Sequence, residues 1–115
     1  MESRFSKNEL DRLAIISQYI SNNLDQPLRL PDLCARAYMN RHRLNKGFQK
    51  LYKQGLFSYI RKQRMEKALK LLQETENSIQ EIAEAVGYDY PTNFLTAFKN
   101  YYGITAHTAR RNGSI

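Results

Sequence analysis

The chain has 115 residues, with 18 Lys and Arg against 11 Asp and Glu, a formal net charge of +7 and a pI near 9.7. That length holds one modest domain or two very small ones sharing a spine, and so basic a balance favours a polyanionic partner, either nucleic acid or an acidic membrane surface. The lone Cys34 excludes an intramolecular disulfide framework and a cysteine zinc cluster, no apolar run is long enough to span a bilayer, and the opening Met1–Lys7 lacks the apolar core of a secretory signal, so a soluble cytoplasmic protein is expected.

Ser6-Lys7-Asn8-Glu9 has the form of a capping box, with Ser6 as cap and Glu9 reaching back. Leu13, Ile16, Ile20 and Leu24 follow at spacings of three and four, which predicts an amphipathic helix over Asn8 to Leu24. Asp25-Gln26-Pro27 ends it. A short second helix, about Pro31 to Ala37, carries Pro31 in its first turn, where a missing N–H costs nothing, and turns Leu30, Leu33, Cys34 and Ala37 inward. Tyr38-Met39 is the turn into a third helix, capped by Asn40 and running to Tyr52, with Leu44, Phe48, Leu51 and Tyr52 as its apolar face. The pair has helix-turn-helix geometry, with small residues where the helices pack closely.

Gly55 opens a long helix from about Phe57 to Gln73. Tyr59, Ile60, Met65, Ala68, Leu69 and Leu72 form its buried stripe, and Arg61, Lys62, Arg64, Lys67 and Lys70 are spread along it. Glu74-Thr75-Glu76-Asn77 breaks the chain. Ser78 with Glu81 is a second capping box ahead of Ile79, Ile82, Ala83 and Val86, and Gly87 makes the turn. A further helix from about Pro91 to Tyr102 has Phe94, Phe98, Tyr101 and Tyr102 as its core face and stops at Gly103. Thr105 caps a last short helix reaching about Arg110, and the tail from Asn112 to Ile115 reads as disordered. No strand pattern occurs, so the fold class is all-α with about seven helices.

The two halves repeat. Leu30, Leu33, Cys34, Ala37 and Tyr38 match Ile79, Ile82, Ala83, Val86 and Gly87 at a constant offset, and Asn40 meets Asp89. Leu44, Phe48 and Tyr52 match Phe94, Phe98 and Tyr102 after one further residue, which places a single insertion around Asp89-Tyr90-Pro91. Two copies of one supersecondary unit joined by a long helix are an architecture: residues 1–55 form a helix and a first helix-turn-helix subdomain, 56–74 a linker helix, and 75–115 a second helix-turn-helix subdomain and tail.

On the third helix His42, Asn45, Lys46 and Gln49 lie opposite the apolar face, flanked by Arg43 and Lys50, and no acid shares that side. A single basic residue there is an ordinary solvated side chain. A whole face of cationic and amide groups, anchored behind by Leu and Phe, suits a major groove, which admits one helix and presents matching donors and acceptors.

This arrangement resembles the DNA-binding domain of the AraC/XylS family of bacterial transcription regulators. The resemblance covers about Pro27 to Arg111. It rests on Tyr59-Ile60-Arg61, Arg64-Met65 and Ala68, on Ser78-Ile79-Gln80-Glu81-Ile82-Ala83 and Val86-Gly87-Tyr88, and on Phe94, Ala97-Phe98-Lys99 and Tyr102-Gly103. Leu44-Asn45-Lys46-Gly47-Phe48 is also similar to the siderophore-responsive, pyochelin-regulator branch. The resemblance implies two recognition helices in successive major grooves of double-stranded DNA. It implies base-reading positions at Arg41, His42, Asn45 and Lys46 in the first and Thr92, Asn93, Leu95 and Thr96 in the second. Arg43, Gln49, Lys50, Tyr90 and Lys99 are the expected phosphate contacts. A domain monomeric by itself, with RNA polymerase as a further partner, would fit the same family. Several residues depart from its pattern: Lys53 where a Gly usually turns, Gly55 for a Ser or Thr cap, Arg29 at a cap it fills poorly, Thr96 for a common Arg, and Ala106 for a common Pro.

Other readings compete. His42 is either a base or phosphate reader or plain surface, and His107 reads as surface. Neither has acidic or cysteine companions at ligand spacing, so no metal or other cofactor is expected. Cys34 fits a small core slot better than a nucleophile, and Arg64 is placed to hold the linker helix to its neighbours. No residue pattern supports catalysis. The alternative functions are a basic helical protein-interaction module and an RNA-binding one, although neither an aromatic platform on a sheet nor a GxxG clamp is present. Since many relatives carry a sensing domain ahead of this one, the chain is either a stand-alone binder or a C-terminal domain.

Overall fold

Seven α-helices make up the computed structural model, which describes residues 4–113: α1 (Lys7–Asn22), α2 (Leu30–Ala37), α3 (Arg41–Tyr52), α4 (Leu56–Glu74), α5 (Ile79–Ala85), α6 (Pro91–Tyr102) and α7 (Ala106–Gly113). No strand occurs among the described residues, and no helix there is long and apolar enough to cross a membrane. Both capping boxes form. Ser6 N–H donates to Glu9 Oε1 at 3.0 Å and Glu9 N–H to Ser6 Oγ at 3.1 Å; the Ser78–Glu81 pair repeats this at 2.8 and 3.0 Å. Asn40 Oδ1 accepts Arg43 N–H at 2.8 Å, whereas Arg29, ahead of α2, makes no side-chain cap. The last helix runs further than its spacing predicts: Asn112 and Gly113 are helical, and the rest of the expected tail lies outside the described residues.

The chain divides into two compact units, one of residues up to Asn23 and Leu28–Arg61, the other of Leu24–Pro27 and the chain from Lys62 on. α4 therefore gives its first turns to one unit and the remainder to the other.

In the first unit α1 packs on α2 and α3. Leu13, Ile16 and Ile20 of α1 are buried, as are Leu33, Ala37, Leu44 and Phe48. The α1–α3 approach is close enough that a Cβ on Gly47 would lie 2.6 Å from a Leu13 methyl, so a side chain at that α3 position would have to displace the Leu13 side chain. Arg12 Nη1 donates to the carbonyls of Ala37 and Tyr38, at 2.8 and 3.1 Å, which ties the α2–α3 turn to α1 and satisfies carbonyls that the helix end leaves free. Phe48, Tyr52 and Tyr59 pack in tilted and edge-to-face contact with centroids 4.8–5.1 Å apart and join α3 to the first turns of α4. Three inward expectations are corrected: Leu51, next to last in α3, is exposed, and Leu30, which opens α2, and Cys34 are only half-buried.

The second unit encloses Met65, Ala68 and Leu72 of α4, Ile82, Ala83 and Val86, Phe94 and Phe98, and Ala106 and Ala109 of α7. Ala106 is fully buried and fills the slot where a Pro is common. Two arginines bind main-chain carbonyls in and beside the loops here. Arg64 donates to the carbonyls of Leu24 (3.1 Å) and Gln26 (2.8 Å), the structural role expected for it, and burial lowers its pKa from the ordinary guanidinium value. Arg110 donates to Leu72, Thr75 and Asn77 carbonyls at 3.0, 3.3 and 2.7 Å.

α3 and α6 end alike. Lys53 has φ 64° and its N–H reaches Gln49 O at 3.0 Å; Gly103 has φ 79° and reaches Lys99 O at 2.8 Å. The left-handed conformation costs a residue with a Cβ about 1–2 kcal/mol, part of which glycine returns through its freer unfolded chain. Lys53→Gly is expected to stabilise the protein by about 1 kcal/mol, seen as a rise of several degrees in the melting temperature, and Gly103→Lys to do the reverse. A lower melting temperature for Lys53→Gly would count against the strain at Lys53.

Candidate nucleic-acid interface

Full burial of Leu44 and Phe48 sets the rotation of α3, because residues three and four apart share a helix face. The opposite side then presents Arg41, His42, Asn45, Lys46, Gln49 and Lys50, all exposed. At its N-terminal end lies a concavity of about 470 Å³ lined by Leu30, Arg41, His42, Asn45, Leu56 and Phe57. Phe57 is 60% exposed and was absent from the residues singled out by pattern. Its one signal is that it lies off the buried stripe of α4.

α6 repeats the design. Phe94 and Phe98 are fully buried, Thr92, Asn93, Thr96 and Lys99 are exposed, and Leu95 is half-buried. Pro91 occupies the first turn, and Tyr90 ahead of it is extended, as a residue before proline should be, with its ring 64% exposed. Asp89, matched to Asn40 by the repeat, does not cap the helix; the inserted residue moves that position to Tyr90, which makes no side-chain cap. A concavity of about 310 Å³ is lined by Leu95, Thr96, Lys99, Asn100, Thr105, Ala106 and His107. The two concavities correspond under the repeat: Asn45 and Leu95, Leu56 and Ala106, Phe57 and His107 each lie 50 residues apart. Asn100, Thr105 and His107 join the site through that correspondence alone.

Two of the expected contact residues are engaged inside the fold. Arg43 is half-buried; its Nε and Nη2 donate to the two Glu9 carboxylate oxygens at 3.1 and 2.8 Å, Nη2 also reaches the Arg4 carbonyl, and the guanidinium lies 4.0 Å from the Phe5 ring centroid. Asn45, although exposed, directs Oδ1 to Leu56 N–H at 2.9 Å.

The sequence profile of the helix-turn-helix domain family matches residues 33–112, more than half of the chain. The chain belongs to the AraC-type helix-turn-helix family. It is 29% identical over 107 residues to the multiple antibiotic resistance protein MarA of Salmonella typhimurium, covering 91% of this chain and 84% of that protein. Among solved structures it is similar to the C-terminal domain of AraT, a response regulator from Geobacillus stearothermophilus, with TM-score 0.84, 33% identity and coverage of 98% and 91%. It is also similar to the DNA-binding domain of the global transcriptional factor AdpA in complex with a target DNA, with TM-score 0.81, 25% identity and coverage of 87% and 90%. The family is one of DNA-binding transcription regulators.

In this AraC-type domain Arg43 ties the start of α1 to α3. The bidentate geometry and the aromatic face are the arrangements that suit a guanidinium best, and they direct it away from the outward stripe. The hydrogen bonds from Arg43, then that from Ser6 N–H, with the nearby charges of Arg43 and Arg12, hold the Glu9 carboxyl at about 2 against an ordinary 4.5. A carboxyl lowered on folding contributes stability that is fully present above the unfolded value and lost as pH falls through the folded one. Acid should therefore remove this tie between about pH 4.5 and 2. Glu9→Gln is expected to be less stable than the parent at pH 7 and to lose less further stability across that window, measured by chemical unfolding at each pH. Parallel stability curves for the two proteins would show that the pair is inert.

Proposed function

We propose that this chain binds double-stranded DNA sequence-specifically as the DNA-binding part of a bacterial transcription regulator, with α3 and α6 as its readers. The observation that carries this reading is the exposed, acid-free stripe on α3, held outward by buried Leu44 and Phe48 and repeated on α6 in front of Phe94 and Phe98. On α3, Arg41, His42 and Lys46 face base edges, with Lys46 a donor for guanine; Gln49 and Lys50 meet phosphates. On α6, Thr92, Asn93, Leu95 and Thr96 face bases, Asn93 being matched to adenine and Leu95 to a thymine methyl, while Lys99 and Tyr90 meet the backbone. Two readers in one chain let a monomer bind an asymmetric site, with successive major grooves about 10 base pairs apart. The run Leu44-Asn45-Lys46-Gly47-Phe48 supports a place near the siderophore-responsive branch. Work on chromosomal DNA sets the protein in the cytoplasm, with RNA polymerase as its partner at a promoter and no catalytic role of its own.

The test is selection from random duplexes followed by footprinting. One enriched asymmetric motif with two protected grooves is expected; no enrichment, or preference for RNA competitor, would sink the proposal. About six phosphate contacts should give a slope of log affinity against log salt near −5, and a nearly flat response would remove the basic stretch from the backbone.

The two readers should not contribute equally. Cations supply sequence-independent affinity, while hydroxyls, amides and apolar groups act on base edges at short range. Lys46→Ala is expected to cost about 1–3 kcal/mol and relax specificity at one base, and Thr96→Ala clearly less. Titration of both at one salt concentration, on the selected site and on scrambled DNA, measures the difference. A larger loss for Thr96→Ala would reverse this division of labour.

A further inference from the structure

The first backbone N–H groups of any helix have no acceptor within it. The second unit solves this for α7 locally: Thr105 Oγ1 accepts Thr108 N–H at 3.1 Å. The equivalent residue 50 positions earlier is Gly55, whose carbonyl opens α4 by accepting Tyr59 N–H at 2.9 Å but which has no side chain to cap with. An acceptor comes instead from α3, where Asn45 Oδ1 takes the first N–H of α4, that of Leu56, at 2.9 Å, while Thr105 takes the third N–H of α7. The residue of α6 equivalent to Asn45 is Leu95, which has no such oxygen. A Cβ on Gly55 would stand 2.8 Å from Asn45 Oδ1, so a side chain at 55 and the Asn45 oxygen exclude each other. The two units thus hold complementary pairs, Asn45 with Gly55 and Leu95 with Thr105.

We propose that Asn45 is a positioning residue that caps the linker helix from the reader helix, and that Gly55 is bare in order to admit it. Pairing with adenine uses both amide atoms of an asparagine, the oxygen accepting from N6 and the nitrogen donating to N7. The Asn45 oxygen is turned to α4, so direct reading by α3 falls to Arg41, His42 and Lys46. The cap and the Phe48–Tyr52–Tyr59 ring cluster attach α3 to the start of α4 at two places, which fixes the stance from which Lys46 projects. This assignment rests on α3 being a reader.

The test compares N45A, G55S and the double variant N45A/G55S in the full chain. N45A should lower the melting temperature by about 3–8 °C and speed hydrogen exchange at the Leu56 amide by about fivefold or more. The double variant, which carries the local solution of the second unit, should melt within about a degree of the parent, and G55S alone should be less stable than it because Asn45 must then be displaced. On DNA the double variant should select the same motif as the parent. Unchanged melting and unchanged Leu56 exchange in N45A would overturn the cap. Loss of preference at one base in both N45A and the double variant would overturn the positioning role and make Asn45 a base reader. Should the parent itself select no duplex motif, the reading of α3 fails on its own account, and melting and exchange still decide whether Asn45 is the cap.

Discussion

Burial of two pairs of side chains, Leu44 with Phe48 and Phe94 with Phe98, is the constraint on which the rest of the site depends. All four are fully buried. Truncating a buried Phe costs about 3–5 kcal/mol, far more than any single surface contact contributes, so neither helix can rotate about its axis without losing its anchor. The rotation decides which side chains remain outside. On α3 those are cationic and amide groups; on α6 they are hydroxyl, amide and apolar groups with one lysine. The chemistry of the outward stripes follows from where the apolar residues stand.

Part of the positive charge is engaged inside the fold and part stays exposed. Arg12, Arg64 and Arg110 donate to main-chain carbonyls at a helix end and in loops, where a planar fork of five donors can serve several acceptors at once. Arg43 serves a carboxylate, a carbonyl and an aromatic face in one place. The lysines of the outward stripes, Lys46, Lys50 and Lys99, are exposed. A lysine is a compact, well-hydrated charge on a flexible stem, suited to following a phosphate backbone. Arg12, Arg43, Arg64 and Arg110 thus hold the fold, while Arg41 stays exposed beside these lysines on the outward side of α3.

Two of the departures from the family pattern have local compensations. Lys53 adopts the left-handed turn that glycine usually supplies, and the helix ends with the same hydrogen bond as at Gly103. Gly55 lacks a capping side chain, and Asn45 provides the oxygen. Arg29 has no replacement for its missing cap; α2 relies there on Pro31, whose ring already holds helical geometry.

Helix starts, apolar faces and the duplication were legible in the sequence because each depends on residues three or four apart, or on a constant offset. Ser6 with Glu9, Ser78 with Glu81, and Leu44 with Phe48 are local chemistry that any fold would respect. His42, Lys46, Thr92 and Thr96 followed by subtraction from those faces, whereas Arg41, Asn93 and Leu95 came only with the family resemblance. The fates of Arg43 and Asn45 were not legible: their partners, Glu9 and Leu56, lie 34 and 11 residues away, and nothing in the spacing marks one arginine or one asparagine of a polar face as taken. The sequence by itself determined which helices form and which side of each reader is buried, since those are set by short-range periodicity and caps. Only the tertiary structure decided which polar side chains on those readers remain free, since hydrogen-bond partners far apart in the chain meet only after the helices have packed.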